Sequence, residues 1–431
     1  MPTAASSPSA PAPHLLGDLL TLYGVQAMNF AVPLLTLPYL TRTLGPAAWG
    51  ALVFAEAFAR YTAMLVEYGF QLSATREIAR ARHDPAQRSA HIGGVLGGQL
   101  LLAAAALCAI PPLLLWGTPF QGRGPLLWTA LAWGLALAAS PLWYFQGMGR
   151  MKVMAGIDIT AKIISAAGLF LLVHHPGDEG RAVALQAVMA ILSTLSGFLL
   201  VARETTLPRP SAAAGWAALR AGFSMFLFRS AVSLYTTANV LILGLFAAPA
   251  AVGIFGAAER LIRAALASFA PLNQTFFPRI SYLMQHDPAA ARRTTRTSAL
   301  VMLALGLMIG VILAAAAPWI VAILFGPRYQ AAVPLLRWLA LLAPLVALSN
   351  VLGIQWMLPL GLERDFNVIL LAAGLLNVAS AACLAPRYGA LGMAASVVAA
   401  EAAVTLGVLL SLYRRRLNPF AGTANWEAVA A

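Results

Sequence analysis

The chain consists of long apolar stretches separated by short polar connections, and this alternation limits what it can fold into. An α-helix needs about 20 mostly apolar residues to cross a bilayer. Twelve stretches of the sequence come close to this length and composition. A helix satisfies its backbone hydrogen bonds within one segment, as lipid requires. The sequence therefore predicts an all-α integral membrane bundle of about twelve transmembrane helices, at residues 15–41, 47–69, 92–116, 124–145, 153–173, 182–202, 221–246, 250–272, 298–324, 333–357, 367–385 and 391–412.

Charged residues are too few for a water-soluble surface. They make up 10% of the 431 residues, whereas a soluble domain carries roughly 25%. The net charge of +13 could indicate nucleic acid, but the arginines form short clusters between apolar stretches, as in membrane proteins. We therefore expect a lipid bilayer, and no nucleic acid, as partner. The two cysteines lie in apolar stretches and the six histidines lack metal-ligand spacing, so the sequence predicts no metal site and no cofactor.

The basic residues also predict the orientation. They concentrate in alternate connections, for example at Arg76, Arg292 and Arg414, and such connections stay in the cytoplasm. Both termini are therefore predicted to be cytoplasmic. The predicted units are a disordered cytoplasmic tail at 1–14, an N-terminal six-helix lobe at 15–202, a cytoplasmic linker at 203–220, a C-terminal six-helix lobe at 221–412 and a cytoplasmic tail at 413–431.

An internal repeat supports this division. Residues 46–89 align without gaps to 249–292, at a constant offset of 203 (249 − 46). Chance similarity between apolar helices is the alternative, but the matches include polar residues and extend into the following connection, where HDPA occurs twice. A six-helix unit duplicated in tandem keeps its orientation. The lobes are then expected to be related by a pseudo-two-fold axis along the membrane normal, with the substrate path between them.

Charged residues inside the predicted helices are the candidate functional groups, because charge in a bilayer costs about 2.5–3.5 kcal/mol per residue and usually faces a cavity. Three acid–base pairs have the i, i+4 spacing that places both side chains on one helix face. They are Glu56–Arg60, Glu259–Arg263 in the matching positions of the second repeat, and Asp158–Lys162. One interpretation is self-neutralised pairs that ease insertion. The other is that both repeats direct an arginine into a central cleft.

Other polar residues in the helices have less obvious roles. Arg229, Arg260 and Arg337 lack a local partner, and guanidinium groups suit phosphate or carboxylate ligands. Glu401 could carry a proton or a cation, or bond to a neighbouring helix. Gln26 and Asn29 could contact sugar hydroxyls or join helices. No catalytic constellation and no nucleotide-binding loop is present, and the short outer connections leave no room for a catalytic domain, so we expect no enzyme.

Several segments resemble the Wzx-type flippases of polysaccharide biosynthesis, in the superfamily that includes multidrug exporters and the lipid II flippase. The resemblance covers nearly the whole chain and is carried by LPYLTRTLGPAAWG at 37–50, EYGFQLSATREIARAR at 67–82, WYFQGMGRMK at 143–152, FGPRYQAAVPLLRWLA at 325–340 and PRYGALGMAAS at 386–396. It implies two six-helix lobes around a cationic cleft in a bacterial inner membrane. It also implies an undecaprenyl-diphosphate-linked oligosaccharide as substrate, moved to the periplasmic leaflet by alternating access, with the polymerase and chain-length proteins of the pathway as further partners.

Two alternatives remain open at this stage. A cation- or proton-coupled antiporter of small molecules or drugs would favour an acid without a basic partner, for which Glu401 is the candidate. A membrane glycosyltransferase or polymerase is disfavoured by the short outer connections.

Overall fold

The computed structural model describes residues 15–115, 122–236 and 238–420, with side chains described in these ranges except at 15–34, 109–115, 224–225 and 227–237. Within these ranges the chain is almost entirely helical and contains no strand, so the predicted all-α membrane fold is confirmed. The predicted tail at 1–14, and residues 421–431 of the tail at 413–431, lie outside the described residues.

The first half of the chain contains seven helices. Two of them, α2 and α5, are short. The bounds are α1 Leu15–Glu67, α2 Phe70–Arg80, α3 Pro85–Leu115, α4 Gly124–Ala138, α5 Leu142–Gly147, α6 Met151–Leu172 and α7 Glu179–Glu204.

The second half is divided more finely, and it includes a 3-10 turn at Pro327–Tyr329 and a π-helix at Asn350–Met357. Its helices are α8 Ala212–Thr236, α9 Asn239–Phe246, α10 Pro249–Leu266, α11 Phe269–His286, α12 Pro288–Ala315, α13 Ala317–Leu324, α14 Ala332–Ala340, α15 Leu342–Ser349 and α16 Glu363–Arg414.

Two helices are too long for one crossing and change direction at a glycine. α1 has 53 residues and α16 has 52, so each would measure roughly 80 Å against a hydrocarbon core of about 30 Å. The backbone leaves the helical region at Gly45 (φ 72°) and at Gly389 (φ 57°), in a left-handed conformation that glycine adopts without a Cβ clash. Each long helix therefore supplies two of the predicted spans.

Seven helices among the described residues are long and apolar enough to cross a membrane by composition alone. The other predicted spans are helical too, but they are broken or carry charges. Within the predicted span 221–246, α8 ends at Thr236 and α9 begins at Asn239. The predicted span 250–272 contains most of α10, which carries Glu259, Arg260 and Arg263.

Three predicted connections are shorter in the structure than in the sequence analysis. Most of 71–91 and of 277–297 is helical, in α2, α3, α11 and α12. The predicted linker 203–220 is helical from Ala212, so the non-helical connection between the halves covers only 205–211. The start of α8 packs on α3, since a Cβ at Gly97 would overlap the carbonyl oxygen of Ser211. Amphipathic helices lack the long apolar stretch that identifies a membrane span, so the helical parts of these segments were interpreted as loops.

One close contact between the two halves lies where the second segment of α1 crosses α10. A Cβ added to Gly50 would overlap the carbonyl oxygen of Pro249, and a Cβ added to Gly253 would overlap that of Pro46. Both glycines and both prolines are related by the offset of 203, so the contact is reciprocal. A two-fold axis between the helices generates this pattern.

Candidate functional site

The two repeat-related acid–base pairs both form. Arg60 donates from Nε (3.0 Å) and Nη2 (2.9 Å) to Oε1 of Glu56, on the second segment of α1. Arg263 donates from Nη2 to Oε1 of Glu259 at 2.7 Å, on α10. The i, i+4 spacing therefore brings each pair together on one face of its helix, as predicted.

The surroundings of the two carboxylates differ. Glu56 also accepts a hydrogen bond at Oε2 from Nη2 of Arg260, which belongs to the other half of the chain. The Arg260 guanidinium lies over the ring of Trp49, 4.7 Å from its centre, so two interactions of this arginine cross between the halves. The repeat-equivalent position of Arg260 is Ala57, whose side chain cannot form such a contact.

Glu259 is instead joined to a chain of amides. Asn239 donates from Nδ2 to Oε1 of Glu259 at 3.0 Å, and Asn377 donates to Oδ1 of Asn239 at 2.8 Å. Glu259 is 8% exposed, and both asparagines are buried. The buried carboxylate is therefore neutralised by one arginine and held in place by an amide from α9.

A cavity of about 350 Å³ lies within the first half, and we call it the N-half cavity. Arg60 lines it together with Asp158 and Lys162, so the structure brings together two of the three predicted pairs. Asp158 accepts a hydrogen bond from Oγ of Ser193 at 2.6 Å, and the charge of Lys162 interacts with those of Asp158 and Arg60. Further polar groups complete the lining: Glu67, Gln71, Ser140, Ser165, Gln186 and Thr194.

A second cavity, of about 310 Å³, lies within the second half, and we call it the C-half cavity. Glu259, Arg263 and Glu401 line it, but most of its wall is aliphatic or aromatic. Glu401 is 5% exposed and accepts a hydrogen bond from Oγ of Ser349 at 2.7 Å. Glu401 forms no ion pair with any residue that the structure describes.

The remaining candidates fall outside these cavities or outside the described side chains. Arg60 and Arg263 line different cavities. Arg337 lines neither cavity, and its Nε donates to the carbonyl oxygen of Ala314 at 3.3 Å. The side chains of Gln26, Asn29 and Arg229 are not among those described. Whether any of these residues binds a substrate stays a prediction.

Comparison with known proteins identifies the family. The sequence model of the family described as "Polysaccharide biosynthesis protein" matches residues 15–284, more than half of the chain. The chain belongs to this polysaccharide biosynthesis family. Two of its relatives are each named "Putative O-antigen transporter". The one from Escherichia coli K12 is 30% identical over 93% of this chain and 97% of its own length. The one from Shigella dysenteriae is 28% identical over 91% of this chain and 98% of its own length.

Solved structures of other membrane transporters share the fold of this polysaccharide biosynthesis protein. A lipid II flippase, MurJ, in an inward closed conformation superposes with a TM-score of 0.72 at 12% identity, over 92% of this chain and 87% of the other. An inward-facing multidrug resistance transporter of the MATE family gives 0.58 at 15% identity, over 89% and 98%. At these identities the likeness concerns the fold alone, and it confirms the expected two-lobed helical architecture.

Two relatives in this family are named as transporters, which agrees with the expected membrane transporter class and with the expectation that this chain is no enzyme. The resemblance noted in the sequence is confirmed as well. Arg260 and Ser349 were missed as partners of Glu56 and Glu401. For Arg260 a signal existed, because it is a charged residue in a predicted span without a local acidic partner.

Proposed function

We propose that this protein is a flippase that moves an undecaprenyl-diphosphate-linked oligosaccharide from the cytoplasmic to the periplasmic leaflet of a bacterial inner membrane. The observation that carries the proposal is Arg60, which stands beside Lys162 in a polar cavity inside a membrane-spanning bundle. A diphosphate is the anionic group of such a lipid, and a guanidinium fork and an ammonium are the donors that bind phosphate in proteins. Family membership and the names of the relatives support the same substrate class.

Arg60 and Arg263 are proposed to act one after the other on the diphosphate. Each is held by a glutamate on its own helix while its cavity is empty. A diphosphate carries more charge than one carboxylate, so it can displace the glutamate from the arginine. Because the arginines occupy equivalent positions in the two halves, rocking of the halves would transfer the anion from one to the other.

Alternating access is supported by contacts between the halves along the first part of the second α1 segment. The Gly50–Gly253 crossing and a hydrogen bond from Nη2 of Arg42 to the carbonyl oxygen of Ile323 lie at its start, and the Glu56–Arg260 ion pair lies near its middle. The distribution of basic residues predicts that the start of this segment faces the periplasm. We therefore propose that the structure represents a state closed to the periplasm, with both termini in the cytoplasm. A coupling ion would drive the opening, and the polymerase and chain-length proteins of the pathway would receive the flipped product.

The experiment is complementation of a flippase-null strain by Arg60→Ala, Arg263→Ala, the double variant and Arg60→Lys. Membrane levels are matched by immunoblot, and exported glycan is measured. We expect each alanine variant to lose most export and the double variant to lose nearly all. Arg60→Lys should restore only part, because an ammonium lacks the planar fork. Arg181→Ala is the matched control, since this exposed arginine lies outside both cavities and is not a candidate binding residue. Normal export by the double variant would contradict the proposal.

Glu401 supports a second candidate function. A buried carboxylate with a single hydroxyl partner, in a largely apolar cavity, is a suitable site for a proton or an organic cation in an antiporter of the same superfamily. Under this alternative, the null strain would stay without exported glycan. Expression of the chain would instead lower the accumulation of a fluorescent cationic dye, and Glu401→Gln would abolish that effect.

A further inference from the structure

Each half contacts the other through an arginine at the end of the molecule that is predicted to face the periplasm. Nη2 of Arg42, on α1, donates to the carbonyl oxygen of Ile323 in the last turn of α13. In the other direction, Nη1 of Arg328 lies 3.4 Å from the position that a Cβ of Gly45 would occupy. Each half therefore places one guanidinium against the backbone of the other. We call this contact, between residues 42–45 and 323–328, the outer seam.

The two arginines of the outer seam have no acidic partner. Neither Arg42 nor Arg328 forms an ion pair with any residue that the structure describes. Acids are available at this end of the molecule, since Arg123 pairs with Glu179 at 2.9 Å. Two like charges held at one contact repel each other, so they oppose the closing of the seam unless an anion lies between them.

Both guanidiniums also have hydrogen-bond donors left for a ligand. A guanidinium has five N–H groups, and within the described part of the chain Arg42 uses one and Arg328 uses none. Both side chains are exposed, so an ion from solution can reach them. Among the described residues, only Arg328 lies within 4 Å of the Cβ position of Gly45, and only Arg42 lies within 4 Å of that of Gly326. There is therefore open space beside both arginines.

We propose that the outer seam binds a phosphate or diphosphate anion between Arg42 and Arg328, and that this anion holds the halves together at the end predicted to be periplasmic. A guanidinium fork binds phosphate oxygens through paired hydrogen bonds, and forks from opposite sides satisfy oxygens on both sides of the anion. The bound anion also removes the repulsion that closing creates. One arginine comes from each half, so the site exists only while the seam is closed.

This role differs from the one proposed for Arg60 and Arg263. Those arginines bind the transported molecule, whereas an anion in the outer seam opposes opening and is not carried. The anion regulates the cycle from the outer side, whichever substrate the protein moves. Its phosphate oxygens can belong to a free ion or to the headgroup of a lipid in the outer leaflet, and both sources offer the same chemistry to the two guanidiniums.

The test measures the melting temperature of the purified full chain in nanodiscs at increasing concentrations of inorganic pyrophosphate and constant ionic strength. A ligand that binds the folded state raises the melting temperature, so we expect a saturable rise for the wild type. Arg42→Gln and Arg328→Gln should each raise the apparent Kd at least about tenfold, because each removes one of the two forks. Arg181→Gln is the matched control. Arg181 is an exposed arginine predicted at the same end but paired with Asp178, and its replacement should change the Kd less than about twofold.

Two further comparisons locate the anion and its source. Arg60→Ala should bind pyrophosphate as the wild type does, because Arg60 lies in the N-half cavity. A second arm replaces pyrophosphate by undecaprenyl diphosphate in the nanodisc. A rise caused by this lipid alone, and lost in Arg328→Gln, would identify a lipid headgroup as the anion and support the site.

Three results would overturn the proposal. They are no response to either probe, unchanged binding by both seam variants, and loss of binding in Arg60→Ala alone. Arg42→Gln also removes the hydrogen bond to α13, so Arg328→Gln decides if the Arg42 variant melts lower without ligand. These measurements need no glycan export, so they stand independently of the proposed function.

Discussion

The two halves of this transporter contain the same glutamate–arginine pair, on equivalent helices, in opposite settings. In the first half, Glu56 is shared by two guanidiniums, and Arg60 stands at the rim of a cavity with equal numbers of acids and bases. In the second half, Glu259 has one guanidinium and an amide, and the largely apolar cavity contains a further carboxylate, Glu401.

The difference shows that the two repeats are more alike at the helix crossing than in the side chains that line the two cavities. The glycines and prolines of the crossing match in both repeats, because any larger residue would separate the backbones. Most residues of the two cavity linings come from helices outside the matched segments, and these residues differ between the halves. We expect the first half to contribute polar recognition and the second half to contribute mainly apolar surface.

The largest expected effect comes from the shared crossing. Gly50→Ala and Gly253→Ala each place a methyl group against a backbone carbonyl, which cannot move aside as a side chain can, and overpacking of this kind costs about 1–3 kcal/mol or more. Both variants should reduce glycan export more than tenfold, and to the same extent. Gly156→Ala, where a Cβ would meet nothing within 4 Å, is the control and should be neutral or slightly stabilising. Strongly unequal effects of Gly50→Ala and Gly253→Ala would show that the two sides of the helix crossing are not equivalent.

The second prediction contrasts the two arginines. Removal of Arg60 leaves Glu56 paired with Arg260, whereas removal of Arg263 leaves the buried Glu259 without its guanidinium, with Asn239 still donating to it. A buried charge that loses its partner destabilises by about 3–5 kcal/mol, so Arg263→Ala should lower the melting temperature of the purified protein and Arg60→Ala should not. Glu259→Gln added to Arg263→Ala should restore most of the melting temperature. A similar loss for both arginine variants would show that the two carboxylates are held alike.

A smaller effect is expected at Glu401, which distinguishes the C-half cavity from its counterpart. Glu401→Gln retains an oxygen that can accept the hydrogen bond from Ser349, whereas Glu401→Leu leaves that hydroxyl unpaired. If Glu401 joins neighbouring helices, the leucine variant should lose about 1–3 kcal/mol of stability, and the glutamine variant should fold and export normally. Loss of export by a stable Glu401→Gln variant would assign the ion-coupling role to this carboxylate.

The smallest perturbation tests whether the halves share one orientation. Ala86 and Ala289 are both exposed and are related by the offset of 203, so each can be replaced by cysteine in a chain lacking Cys108 and Cys383. A membrane-impermeant thiol reagent should label neither site in intact cells and both in inverted membrane vesicles, with export unchanged. Labelling of only one site in intact cells would show antiparallel halves.

The helices and the repeat could be predicted from the sequence because both depend on local patterns. Apolar stretches of membrane-spanning length identify helices, and an i, i+4 spacing is sufficient to predict that Glu56 meets Arg60. Pairing of Glu56 with Arg260 is different, since 204 residues separate them and only the crossing of α1 and α10 brings them together. The same holds for Ser349 and Glu401, which are joined by the packing of α15 on α16.

The division of the site into two cavities also lay beyond sequence patterns. Both arginines were expected to face a cleft, and the spacing gives their helix faces but not what other helices place opposite those faces. Breaks within spans, such as the one between α12 and α13 at Ala316, were missed because apolar residues continue through them.

Two cations share one anion at Glu56, and this stoichiometry determines how easily the closed end can open. When the halves part there, Glu56 keeps Arg60, so no acid is stranded, and Arg260 alone loses its partners, the Glu56 carboxylate and the Trp49 ring. An arginine released at an opening mouth is hydrated at once. The contact between Glu56 and Arg260 can therefore break and re-form at low cost. A transporter that must cycle many times without unfolding needs a reversible contact of this kind.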